Sequence, residues 1–120
     1  MRNALLLLSL LAAAGCGQEE DTRPASLQYI GAAILKPSCA TAACHSTLNQ
    51  RAFRVFDDPE ILLDQVYGTG IQPFDSADSQ LITVYLTGDD PELRMPLDSP
   101  LPDADIALIA RWIDEGAMDN

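Results

Sequence analysis

The chain has 120 residues, with 18 acidic against 7 basic side chains, one His, three Cys and 48% apolar composition. That is the size of one small domain, and a net charge of -11 excludes a nucleic-acid backbone as ligand, because such binders need a basic face to displace counterions. Aromatic residues make up 6% of the chain, and a small domain so poor in rings often relies on a staple, a metal or a cofactor to complete its interior.

In chain order, the first segment reads as an address. Met1-Arg2-Asn3 is a short positive start, Ala4 to Leu11 is apolar, and Ala12-Ala13-Ala14-Gly15 precedes Cys16. This is the pattern of a secretory signal with a small-residue cleavage region. The apolar run is too short to cross a hydrocarbon core of about 30 Å, which needs roughly 20 residues. Small residues directly before Cys16 resemble a bacterial lipobox. That resemblance implies residues 1–15 as signal peptide, Cys16 as the lipidated first residue, and a place on the periplasmic face of the envelope. Gly17, rather than Asp, after the Cys implies the outer membrane. Plain cleavage near Ala14, leaving Cys16 a free thiol, is the other reading. Gln18 to Ala25 is polar and aperiodic and contains Pro24, so residues 16–25 read as a flexible tether and residues 26–120 as the domain.

The domain reads as all-α, with four short helices and long ordered loops. Ser26 caps a helix from Leu27 to Lys36, with Leu27, Ile30, Ala33 and Ile34 on one stripe and Pro37 as the stop. Asp58-Pro59-Glu60 opens a second helix carrying Ile61, Leu62, Leu63, Val66 and Tyr67, which Gly68 ends. Ser76 to Asp78 opens a third, with Leu81, Ile82, Tyr85 and Leu86, closed by Thr87-Gly88. The last runs from Asp103 to Glu115 and presents Ile106, Leu108, Ile109, Trp112 and Ile113, with Gly116 as a left-handed cap. Val55-Phe56 reads as a short extended piece. Long loops in a compact domain usually wrap something functional.

The densest chemical signal is Cys39-Ala40-Thr41-Ala42-Ala43-Cys44-His45. A haem-attachment run is C-x-x-C-H, in which two thiols bond the haem vinyl groups and the His ligates iron. Here two further residues separate the thiols, while Cys44 and His45 keep their relation. Three other readings stay open: a structural Cys39–Cys44 disulfide with His45 a bystander, a zinc site short of ligands, and a Cys-His dyad. A low-spin haem iron needs a sixth ligand, and a thioether raises the potential of a His-ligated iron. Past the signal the methionines are Met95 and Met118. Met118 lies beyond the last helix, where fraying is expected. Met95 precedes Pro96, which favours an extended backbone; packing against the core is the alternative role for this side chain.

Taken together, Ile34-Leu35-Lys36-Pro37-Ser38-Cys39, Cys44-His45, Arg94-Met95-Pro96, and Leu101-Pro102-Asp103-Ala104-Asp105-Ile106 leading to Arg111-Trp112-Ile113-Asp114-Glu115-Gly116-Ala117 resemble a c-type cytochrome domain. The likeness is to the small anchored monohaem domains of bacteria, whose last helix ends in Trp-Ile-x-x-Gly-Ala. It spans about residues 26 to 118. The resemblance implies a small cytochrome c-like fold with one covalent haem c. Cys39 and Cys44 would form the thioethers, His45 the proximal iron ligand and Met95 the distal one. It implies electron exchange with redox partner proteins, not substrate turnover, and contact with the membrane through a lipid anchor alone. This chain departs from the family at the C-x4-C-H spacing and at Pro102, where a capping Ser is usual.

Several neighbours of that site carry two readings each. Trp112 reads as core packing more than as a pocket wall. Tyr67, Phe74 and Tyr85 could line a pocket. Arg51, Arg54 and Arg94 suit a haem propionate, or surface solvation. The acidic runs Glu19-Glu20-Asp21 and Asp89-Asp90 keep the surface soluble, or steer a basic partner. Two alternatives to electron transfer remain: a non-redox envelope lipoprotein built on a Cys39–Cys44 disulfide, and a zinc-binding module.

Overall fold

A computed structural model describes residues 20–120; the expected signal peptide and the expected lipidation site at Cys16 lie outside the described residues. Among these the chain is all-α, with four helical segments, a single 3-10 turn and no strand.

The first helix covers residues 27–38 in three windings: α over Leu27–Ile30, π over Gly31–Leu35, and α over Lys36–Ser38. Ser26 caps it as expected, its Oγ accepting from the Tyr29 N–H at 3.2 Å. Pro37 does not stop it, and the reason is local. A proline ring inside an α-helix meets the carbonyl four residues back, here Ala33, which lies in the wider π winding. Leu27, Ile30, Ile34 and Leu35 are buried, whereas Ala33 faces solvent and Gly31 takes its place on the inner side. A Cβ on Gly31 would stand 2.4 Å from Leu62 Cδ2, so glycine lets the second helix cross here.

That second helix is Leu62–Tyr67 and starts later than its sequence signal. The Asp58 carboxylate accepts from the Glu60 N–H at 3.0 Å, closing a turn of its own before the helix instead of capping it. Ile61 is exposed in consequence. Val55 and Phe56 are both buried, and neither belongs to a strand.

The third helix, Leu81–Leu86, is π-wound throughout. Fully buried Ser79 ties the preceding loop to it. Its Oγ accepts from Gln72 N–H and donates to the Asp75 carbonyl, both at 2.8 Å.

The terminal helix is Asp103–Asp114, with Pro102 at its N-cap and no side chain capping it. The Pro102 carbonyl takes up the first amides, from Asp105 and Ile106, so the absence of a capping Ser leaves the start intact. Gly116 has φ +112°, the left-handed close expected of it. Leu108, Ile109, Trp112 and Ile113 bury against Ile30 and Ile34 in one core, and each such side chain is worth about 1.5–3 kcal/mol of transfer free energy. Trp112 belongs wholly to that core and donates from Nε1 to the Met118 carbonyl at 2.9 Å. The tail then returns to the first helix, where the Asn120 carbonyl and Oδ1 accept from Gln28 and Leu27 N–H. The first and last helices are thus joined by packing and by the return of the tail.

Within the segment expected to be a tether, Asp21 and Arg23 are hydrogen-bonded to the terminal helix.

Candidate functional site

One cavity of about 430 Å³ gathers Cys39, Cys44, His45 and Met95, residues widely separated along the chain. Its size falls in the range of about 300–1,000 Å³ usual for small-ligand pockets. Leu35, Phe56, Val66, Leu81 and Leu86 give it apolar walls.

The first helix delivers Cys39 at its C-terminal end, where the Cys39 and Ala40 amides both donate to the Leu35 carbonyl, at 2.8 and 3.0 Å. The longer spacing before Cys44 is absorbed by a turn in which Cys44 N–H donates to the Thr41 carbonyl at 2.9 Å. His45 N–H then returns to the Cys39 carbonyl at 3.1 Å and closes the loop. Both thiols are free. Burial, and to a lesser degree the neighbouring Cys44, pushes the Cys39 thiol up to about 11. Among the described residues, no three His, Cys, Asp or Glu side chains converge on a point that would hold one metal ion.

His45 is held on several sides. Its Nδ1 lies 2.7 Å from the Arg51 carbonyl, and its ring packs edge-on to Phe56 with centroids 5.4 Å apart. The His45 carbonyl accepts from Phe56 N–H at 2.9 Å. A carbonyl can only accept, so Nδ1 carries the proton and Nε2 of the neutral ring keeps its lone pair. This is the arrangement that orients a metal-ligating imidazole. The carbonyl comes from a contorted strap, in which Gln50, Ala52 and Phe53 all have positive φ, of 47°, 55° and 58°.

Met95 sits in the loop between the third and terminal helices. Its N–H donates to the Tyr85 carbonyl at 2.5 Å, which fastens the loop to the third helix, and the Met95–Pro96 peptide is cis. Met118 is exposed and does not line the cavity.

The remaining candidates divide. Tyr85 lines the cavity. Tyr67 does not; its hydroxyl donates to the Ala117 carbonyl at 3.0 Å. Phe74 is exposed and lies over Gly116. Arg51 and Arg54 both reach the cavity, and Arg54 also donates to the Gly68 carbonyl at 2.5 Å. Arg94 does not line it, and its buried Nε has no partner among the described residues. Ser46 Oγ is in the same position. These two orphaned atoms adjoin Met95 and His45 in sequence, and orphaned buried polar atoms commonly mark the place of a water, ion or ligand.

No family model matches the chain, and no curated protein or solved structure matches it either.

Proposed function

We propose that this chain is a c-type cytochrome: one haem bound through Cys39 and Cys44, ligated by His45 and Met95, carrying electrons at the bacterial cell envelope from a lipid anchor on Cys16. The observation that carries this reading is the meeting of two free thiols, an imidazole with an available Nε2 and a thioether in one apolar cavity. The residues fit the group. Each donor type that a covalent haem with mixed axial ligands requires is present once or twice as needed.

The haem supplies an iron that changes oxidation state by one electron. The chain would supply everything around it. The Arg51 carbonyl fixes the His45 tautomer and ring orientation. The Tyr85 carbonyl anchors Met95 through its amide. Leu35, Phe56, Val66, Leu81 and Leu86 exclude water, which with ligand type is a lever on potential. Arg51 and Arg54 offer fixed cationic donors for propionates. With His45 and Met95 both holding the iron, no position on it would be left for a substrate, which favours a carrier over an enzyme.

Zinc is less well supported, because a structural zinc takes four ligands and the sequence past Cys16 offers Cys39, Cys44 and one His.

Expression of the full chain with and without a haem-attachment pathway tests the reading. The expected product has a Soret band and sharp reduced α and β bands that survive acid-acetone extraction, with one haem added to the intact mass. A colourless exported protein with Cys39 bridged to Cys44 would overturn it and favour the non-redox lipoprotein.

A further inference from the structure

Within the stretch expected to swing freely as a tether, Asp21 and Arg23 are clasped to the domain. Arg23 Nη1 donates to the Asp105 carboxylate at 2.5 Å and Nη2 to the Ala104 carbonyl at 2.9 Å. The same guanidinium holds the Asp21 carboxylate through Nε and Nη2, at 3.0 and 2.8 Å. From the terminal helix, Arg111 donates back to the main-chain carbonyls of Asp21, at 2.8 Å, and of Arg23. A single surface ion pair would contribute little, about 0–1 kcal/mol. Here two arginines on opposite sides of the contact bind main-chain oxygens of the other segment, so the backbone path is fixed as well as the charges.

We propose that this clasp is a leash stop, which in the anchored protein keeps the domain against the lipid surface with the clasped face of its terminal helix turned toward the bilayer. The inference rests on the reading that Cys16 carries the anchor. Five links join Cys16 to Asp21, a reach of about 16–18 Å at full extension. A chain left free as far as Ser26 would reach roughly twice that, about 35 Å. The clasp halves the leash and removes the swivel at its domain end. The redox partner must then present its docking face close to the membrane surface, as a membrane-embedded protein does. Clasp and cavity share no residue, so the leash can be altered without touching the site.

Neutron reflectometry on the matured, lipidated full chain at a supported phosphatidylcholine bilayer reads the height of the protein layer. Two variants are compared with wild type: Arg23→Gln with Arg111→Gln, and the milder Asp105→Ala. A chain with about ten Gly and Ser residues inserted after Gly17 calibrates a long flexible leash. The double variant should move outward by on the order of 10 Å and broaden toward the calibrator, with Asp105→Ala moving less in the same direction and the absorption spectrum unchanged. A layer that stays at wild-type height in both variants while the calibrator rises overturns the leash alone. A wild-type layer already as high and broad as the calibrator does so too. Wild-type protein that does not remain on the bilayer overturns the anchor, and the leash with it.

Discussion

His45 Nδ1 and the main-chain oxygen of Arg51 lie 2.7 Å apart, and this contact decides which ring nitrogen keeps its lone pair. It makes Nε2 the free lone pair. With haem in place, His45→Ala should abolish the low-spin spectrum of the reduced protein. A low-spin spectrum that persists in this variant would remove His45 from the site.

The oxygen in that contact belongs to a strap with Ala52 at φ +55°. A side chain in the left-handed region costs about 1–2 kcal/mol, and glycine's extra unfolded-state freedom offsets part of what its substitution gains. Ala52→Gly should therefore stabilise the fold by about 0.5–1 kcal/mol. Thermal unfolding checks this, the expected sign being a higher midpoint, against the usual effect of introducing glycine.

Met95 shares the cavity with His45 while its amide is fastened to Tyr85. Met95→Ala leaves that amide bond in place and removes the thioether. In the haem-loaded protein it should lower the reduction potential and admit one equivalent of CO to the reduced form, read by difference spectroscopy. Unchanged spectra and no CO binding would take Met95 out of the ligand set.

Gly31 meets Leu62 where the first two helices cross. Helix propensity alone would reward Gly31→Ala by about 1 kcal/mol, but overpacking costs about 1–3 kcal/mol. The variant should lose about 1 kcal/mol in the wild-type background. With Leu62→Ala in place the same change should become neutral or stabilising. Denaturant midpoints of the four proteins close the cycle, and purely additive losses would show that the helices do not touch there.

Arg23 beside Asp21 holds that carboxyl well below its ordinary range, at about 2. A depressed carboxyl stabilises the fold above its unfolded value, near 4, and loses that contribution as pH falls through the folded one. The Asp21–Arg23 pair should stay intact at pH 5 and open between about pH 4 and 2. Amide exchange at Asp21 and Arg23, or the carboxyl shift of Asp21, follows it; opening near neutral pH would contradict the assignment.

The helix positions, the Ser26 cap, the Gly116 close and the core stripe through Leu108, Ile109, Trp112 and Ile113 were legible because each depends on near neighbours in sequence. The failures have a common cause. Pro37 and Asp58 carry strong local signals, yet a wider winding accommodates the first and a self-contained turn takes up the second. Cys39, Cys44, His45 and Met95 could be picked out as side-chain chemistry. The Arg51 carbonyl and the Arg111 contacts to Asp21 and Arg23 could not, since a main-chain oxygen carries no residue-specific mark. Arg94 and Tyr67 looked like pocket residues by type, and their chain paths take them elsewhere.

The His45 amide closes on the Cys39 carbonyl across the intervening turn, so the geometry of the Cys39–His45 run is set by where the loop shuts and not by how many residues it holds. The Thr41 turn takes up the added length, and the Cys44-His45 pair is delivered to the same closing atoms.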